Sequence, residues 1–499
     1  MNDNKIYEDF SLLLRRCRVA FLVVGLLFLF VVFYYWKIQI LDFKKYWSLS
    51  EANHTREVVI PAPRAVLADR SGSVIVADNV ASFKASIIRE NCADYEESCK
   101  KVSRLLGLDV GVIKQRVDKY KSLPTFKPIV IKDNLSIEEV AQIEGRKLDL
   151  PELVIETEPK RFYPFSHFAA HAIGYMQELT MDELRTTFKD RKMGDMTGKT
   201  GIESSYESRL TGVDGKIVEV VDSLGRKRDE VDRIEPQPSP KVSLTLDYDI
   251  QAKAEEVLSG KEGAVVVLDA RTGGVLAMAS FPTFDPNKFI NRFTPQEWME
   301  LANDPVVPLV NRAIQGLYSP GSIFKLVMAS GALDSRTINE STAFFCPGSA
   351  QFYGRPFRCW LGGGHGWVRL DEAIRQSCNI YFYNLGRRMG IDDIARYAGE
   401  LGLGKKTGID IPGEKEGLVP STEWKKKTQN AEWFPGETIS VAIGQGPLQV
   451  TPLQIAALTC LIANRGSKLR PHLLLEGDSQ MSEQRESVKI PAAVFEKII

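Results

Sequence analysis

"YSPGSIFKLVMASGAL", residues 318–333, breaks at Pro320-Gly321 and then runs into an apolar helical pattern. The break places Ser322 in the first helical turn, and Lys325, three residues on, shares its helix face. A serine hydroxyl is a weak nucleophile until a nearby base takes its proton, and a lysine desolvated in a pocket is neutral enough to do so. The helix N-terminus adds partial positive charge and free N–H groups that favour an oxyanion. Ser-x-x-Lys also occurs by chance in many soluble helices, so the pattern needs a second cluster to carry weight.

"DEAIRQSCNIYFYNLG", 371–386, supplies one. A helical pattern ends at Gln376 and an apolar one begins near Ile380, leaving Ser377 and Asn379 at the joint, two apart and able to face one cleft. A hydroxyl and an amide there suit proton transfer and the holding of a substrate amide. The same residues also read as an ordinary helix cap.

Outward from these motifs, 499 residues predict two or three domains. Apolar content of 44% with 26% charged residues excludes wholesale disorder. Lys plus Arg balance Asp plus Glu at 64 each, and without long basic runs there is no footing for nucleic acid. Val19 to Trp36, "VAFLVVGLLFLFVVFYYW", carries no charge and spans about 27 Å as a helix, enough to cross most of a bilayer core. Arg15, Arg16 and Arg18 precede it, aromatic residues end it, and no Ala-x-Ala cleavage pattern follows. This reads as an uncleaved anchor with a cytoplasmic tail and an exported bulk, against a cleaved signal peptide or a buried core helix.

The exported part divides near residue 240, at the proline-rich "RIEPQPSPK", 233–241. Before it, "IPAPRAVLADRSGSVIVADN" (60–79) predicts two short strands around Asp69-Arg70-Ser71-Gly72. After it, "VSLTLD" alternates like a strand and Asp247 caps the helix of "IQAKAEEVL". "GAVVVLDARTGGVLAMAS", 263–280, predicts a hairpin around Arg271-Thr272-Gly273-Gly274. The expected division is a tail over 1–18, an anchor over 19–36, one exported domain over 37–240 and a second over 241–499. No solenoid-type repeat or low-complexity tract is present.

"SPGSIFK" and "SCN", following that hairpin, resemble the transpeptidase domain of class B penicillin-binding proteins. Upstream, "RFYPFSHFAAHAIGYM" and "GKTGIESSYESRLTGVDG" are similar to the pedestal, or dimerisation, domain of the elongation type, penicillin-binding protein 2. Ala65 in "PRAVLADRSG" departs from the family's usual glycine. The resemblance implies an α+β fold: one transmembrane helix, an elongated pedestal, and a transpeptidase domain with an antiparallel sheet flanked by helices. It also implies a single-pass protein of the bacterial inner membrane with its bulk in the periplasm. Ser322 would attack the penultimate D-alanine carbonyl of a peptidoglycan stem peptide, with Lys325 as general base and Ser377 and Asn379 assisting proton transfer and orienting the substrate. A second chain's amine would resolve the acyl-enzyme, in D-Ala-D-Ala transpeptidase or carboxypeptidase chemistry that needs no cofactor. β-Lactams would mimic D-Ala-D-Ala and acylate Ser322. Implied partners are a multi-span lipid II polymerase and other proteins of the elongation machinery. A β-lactam sensor, a β-lactamase and a bifunctional class A protein fit less well; a division-type class B enzyme and a non-catalytic scaffold are the alternatives.

The family's third motif, Lys-[Ser/Thr]-Gly on a strand facing the serine, is not found. Lys406-Thr407-Gly408 follows a helix ending in glycines and runs into the turn-forming "IDIPGE", and Lys199-Thr200-Gly201 lies in the pedestal. Both read as look-alikes. The transpeptidase domain is accordingly expected to lack its last strands, as a truncated chain or, less simply, a non-catalytic paralogue.

Three of the seven cysteines fall in one glycine- and proline-rich window with a histidine: Cys346, Cys359, His365 and Cys378. Three thiolates and an imidazole form a closed tetrahedral set suited to structural Zn2+. The alternative is a Cys346–Cys359 disulfide, which an oxidising exterior favours, and Cys92 and Cys99 would pair in the same way. Cys378 lies between Ser377 and Asn379; if those face the cleft, its side chain points behind it, toward the loop. Elongation-type relatives that carry a metal on this loop weigh toward zinc.

Overall fold

The computed structural model describes residues 10–47, 55–92, 94–121, 124–189, 191, 194–221, 227–291, 293, 295–475 and 485–499. Near the N-terminus, Leu13–Leu41 is long and apolar enough to cross a membrane, with none of its most apolar window buried against protein. The helix proper, Phe10–Trp36, gives way to a π-helical turn over Lys37–Leu41, so the apolar segment runs beyond both ends of the charge-free stretch.

Contacts group the rest into two compact units. The first, with the N-terminal helix, takes Met1–Ala62, Ser82–Glu158 and Val213–Gln237. Its strand Thr55–Ile60 pairs antiparallel with Gly215–Val221, which pairs in turn with Lys227–Ile234. Its core joins strand Ile129–Lys132 to helices Tyr95–Leu106 and Val110–Lys119 through Val102, Leu106, Ile113, Val117, Ile129 and Ile131. Both helices start on an aspartate whose carboxylate accepts first-turn N–H groups, Asp94 and Asp109. Cys92 and Cys99, which the disulfide alternative would pair, are free thiols: Cys99 is fully buried in this core, and Cys92 turns its Sγ to the Ile88 carbonyl at 3.7 Å.

The second unit combines Pro63–Ala81, Pro159–Gly212 and Pro238–Ile499. Ala65, Leu67, Tyr163, Ile202 and Leu210 therefore share one core with Val275, Met278, Ile411 and Leu473. A charged cluster is buried within the unit. Glu203, fully shielded from solvent, accepts from Arg64 Nε at 2.6 Å and Arg161 Nε at 2.7 Å, and Arg64 also reaches Glu207 at 2.7 Å.

The hairpin forms as predicted: Gly263–Leu268 pairs antiparallel with Val275–Phe281, alternate apolar side chains falling on opposite faces. Helix Tyr248–Leu258, capped by Asp247, packs Ala254 and Leu258 against Ala277 and Ala279. Helix Pro452–Ala463, closed by a Thr451–Gln454 capping box, also packs on the hairpin. This is the expected antiparallel sheet flanked by helices. The helix Lys325–Asp334 runs through the largest core, where Phe324, Met328, Tyr381 and Phe382 meet. It is apolar all round because it is covered all round.

Candidate active site

Ser322 sits in a single 3₁₀ turn, Gly321–Phe324, that leads into the helix Lys325–Asp334. The turn is held from outside by backbone. Gly321 N–H donates to the Gly444 carbonyl at 3.0 Å, and a side chain on Gly444 (φ +74°) would stand 2.2 Å from the Gly321 oxygen. Only glycine permits that approach, which is what "GQG", 444–446, contributes. Across the cleft, helix Leu370–Arg375 stops at Gln376, and Asn379–Met389 begins after Cys378 as its N-cap. Ser377 between them is left-handed, φ +52°. A non-glycine residue there is uncommon, and it turns the hydroxyl toward Ser322.

The four predicted residues form one hydrogen-bonded chain. Ser377 Oγ–H donates to Ser322 Oγ at 2.9 Å, and Lys325 Nζ donates to Ser377 Oγ at 2.9 Å, to the Ser377 carbonyl at 2.9 Å and to Asn379 Oδ1 at 2.7 Å. Among the described contacts, Lys325 reaches Ser322 through Ser377 and not directly. A shared helix face put them close, but the lysine bends toward the joint because three acceptors lie there. Burial lowers the Lys325 pKa to about 8, opposed by the Cys359 and Cys378 thiol groups. All its hydrogen-bond acceptors are neutral, so desolvation wins.

The cleft is about 480 Å³, lined by Gly321, Ser322, Trp360, Ser377, Asn379, Ile443 and Gln445. Trp360, Ile443 and Gln445 were not singled out from sequence. The available signals were an aromatic beside Cys359 and a polar residue between two glycines, neither distinctive without the fold.

Behind the joint, Cys346, Cys359, His365 and Cys378 bring their ligand atoms within 4.8 Å of one another. His365 Nδ1 is 3.6 Å from both Cys346 Sγ and Cys359 Sγ. Tetrahedral zinc with ordinary Zn–S and Zn–N bonds requires S···N edges of about 3.6 Å, so the donor set fits the ion. All four thiol and imidazole groups converge without a disulfide; Cys346 and Cys359 are free, which goes against their pairing. Burial drives the Cys378 thiol up to about 12. Burial also acts against the Cys359 thiolate, but N–H groups of Leu361, Asn379 and Ile380 bring its pKa below the usual thiol value.

Neither Lys-Thr-Gly copy lies at the cleft. Thr407 N and Oγ1 both donate to Glu414 Oε1 at 2.7 Å, and Gly408 N donates to Oε2 at 3.1 Å, closing a turn with no strand. Just beyond, Asp410 accepts from Leu473 N, Leu474 N and the Tyr206 hydroxyl, so the segment's polar groups are spent on holding the fold. Lys199 pairs with Glu183, and Gly201 packs against the backbone of Ala172 to Gly174.

Two family models match: the penicillin-binding protein transpeptidase domain over residues 263–497 and the penicillin-binding protein dimerisation domain over 59–244. Peptidoglycan D,D-transpeptidase MrdA of Acinetobacter baumannii is 37% identical over 443 residues, 88% of this chain and 65% of that protein. MrdA of Escherichia coli K12 is 33% identical over 473 residues, 93% of this chain and 74% of its own length. This chain thus spans just under two thirds of the first of these relatives and about three quarters of the second. Among solved structures, penicillin-binding protein 2 of Helicobacter pylori in complex with MreC superposes with a TM-score of 0.77 at 28% identity, covering 86% of this chain and 82% of that one. Two domain matches in order, and identity of this extent, make the chain a member of the MrdA, or penicillin-binding protein 2, family of class B penicillin-binding proteins.

Proposed function

We propose that this chain is an elongation-type peptidoglycan D,D-transpeptidase acting through an acyl-enzyme on Ser322. One observation carries the reading: a buried lysine whose hydrogen-bond acceptors are all neutral, joined through Ser377 to an exposed serine at a helix start. With Lys325 neutral, the two hydroxyls turn so that Ser322 donates to Ser377 and Ser377 to Lys325 Nζ. Ser322 Oγ then attacks the penultimate D-alanine carbonyl as its proton passes along that path to Lys325. N–H groups at the start of the helix stabilise the oxyanion. The C–N bond breaks, the proton returns to the departing D-alanine amine, and an ester remains on Ser322. Asn379 orients the donor amide. An amine of a second stem peptide then attacks the ester, releasing Ser322 and forming the crosslink; water in its place would give carboxypeptidation. β-Lactams would enter by the same first step and stay. Full-chain protein should bind fluorescent penicillin covalently, and Ser322→Ala should remove the label while leaving the circular dichroism spectrum unchanged. Labelling that survives the substitution makes another residue the acyl acceptor, and no labelling of the unmodified chain leaves the scaffold reading.

The apolar helix serves in this reading as a single-pass anchor in the bacterial inner membrane, its N-terminal arginines cytoplasmic and the bulk periplasmic. The likeness to a protein solved with MreC supports elongation-machinery partners, among them a multi-span lipid II polymerase that the anchor would contact. Co-purification with an anchor-swapped variant tests this: retention of the polymerase removes the anchor as the contact.

Cys346, Cys359, His365 and Cys378 would hold zinc, whose role is structural: it ties the loop to the joint that carries Ser377 and Asn379. Elemental analysis of protein purified without added metal, with a thiol count, should give one zinc per chain. Metal-free protein with a Cys346–Cys359 crosslink removes the site.

A further inference from the structure

The cleft has two apolar side chains in its lining, Ile443 and Trp360, beside polar or small groups. Trp360 is the larger, and it is 64% exposed. Exposed tryptophans ordinarily swing, but this one is held at three points. Its Nε1–H donates to the Gln376 carbonyl at 2.9 Å, its ring meets His365 edge-on with centroids 5.5 Å apart, and its backbone follows directly on Cys359. The indole's one polar group is thus satisfied by the residue before Ser377, and the exposed remainder of the side chain lines the cleft. Core packing does not account for so large a ring here, since most of it is uncovered. A ring fixed in place and open to solvent is pre-organised for a ligand, because little rotamer freedom remains to be lost on binding.

Its position says which part of a ligand. The Gln376 anchor puts the ring on the Ser377–Asn379 side of the nucleophile, where Asn379 would hold the donor amide. A substituent on that amide would find in Trp360 the largest apolar side chain of the cleft lining. We propose that Trp360 is a specificity-determining residue whose indole face packs on the amide plane and apolar substituent of the acyl donor, setting donor affinity ahead of the chemical step. This rests on the reading of Ser322 as acyl acceptor, and the test separates the two.

Benzylpenicillin and 6-aminopenicillanic acid share the reactive ring and differ in the acylamino substituent. Acylation of the full, metal-loaded chain by each is followed by stopped flow for the unmodified protein, Trp360→Ala and Trp360→Phe. Trp360→Ala should lower the second-order constant for benzylpenicillin about 10-fold, the size of one lost aromatic contact, through weaker saturation and not a slower limiting rate. The constant for 6-aminopenicillanic acid should change less than about twofold, and Trp360→Phe should recover most of the preference. Equal loss for both ligands, a fall in the limiting rate alone, or loss of zinc in step with activity would overturn the proposal and leave Trp360 a loop support. If the unmodified chain is not acylated, the reading of Ser322 fails instead. Equilibrium titration in the Ser322→Ala background then decides for Trp360 alone, by whether a preference for benzylpenicillin exists and disappears with Trp360→Ala.

Discussion

Two buried clusters of cations lie within the second unit, and they resolve the same problem in opposite ways. Around Glu203, burial disfavours charge on Arg64, yet the Glu203 and Glu207 carboxylates hold its pKa above the usual arginine value. Burial likewise works against the Glu203 carboxylate, and Arg161 and Arg64 keep it ionised. Among the described residues Lys325 hydrogen-bonds no carboxylate, only a hydroxyl, a carbonyl and an amide, and burial lowers its pKa to about 8. The first cluster is fixed in one charge state and holds three chain segments together. The second is left poised between charge states, which a proton acceptor requires and a structural tie does not.

The largest effect should come from removing the poised group. Lys325→Met keeps the volume but not the base, and should cut the rate of acylation by penicillin about 10³-fold while the melting temperature changes little, because removing a buried charge offsets the three acceptors left without their donor. A melting temperature that collapses would make Lys325 a structural tie like the arginines. Next, Glu203→Gln should cost about 3–5 kcal/mol of stability by stranding two buried arginines, read from urea denaturation, with acylation per folded molecule unchanged. If acylation falls as far as stability, the two clusters are one system.

The pH response sharpens the contrast. Only neutral Lys325 accepts a proton, so the acylation rate should rise about tenfold per pH unit as pH climbs toward 8 and level off above it. A flat profile between pH 6 and 9 would mean that Lys325 is not the base. The smallest effect belongs to the exposed look-alike lysine. Lys406→Ala should change acylation less than about twofold and stability by less than about 0.5 kcal/mol, since the turn around it is held by Thr407, Gly408 and Glu414. A large loss there would give that tripeptide a role in the site after all.

Much was legible from spacing because it depends on local backbone rules. Pro320-Gly321 ahead of an apolar run starts a helix, so Ser322 and Lys325 were placed close together before any tertiary contact was known. The joint at Ser377 and Asn379, the Asp247 cap and the hairpin around Gly273 follow from the same short-range chemistry, as does the apolar length of the first helix. What a lysine bonds to is not local. That Lys325 meets Ser377, 52 residues on, and reaches Ser322 only through it depends on how two helices pack. That Cys346, Cys359, His365 and Cys378 converge also depends on the fold, because they are spread over 33 positions and only chain folding brings their donor atoms within 4.8 Å. Trp360 and Gly444 were invisible for the same reason: one gains meaning from the cleft it faces, the other from a backbone oxygen contributed more than 120 residues earlier. Sequence determined which groups could do the chemistry, through propensities that act within a few residues. Tertiary structure decided their partners, because desolvation and hydrogen-bond geometry are set by whatever segments happen to pack around them.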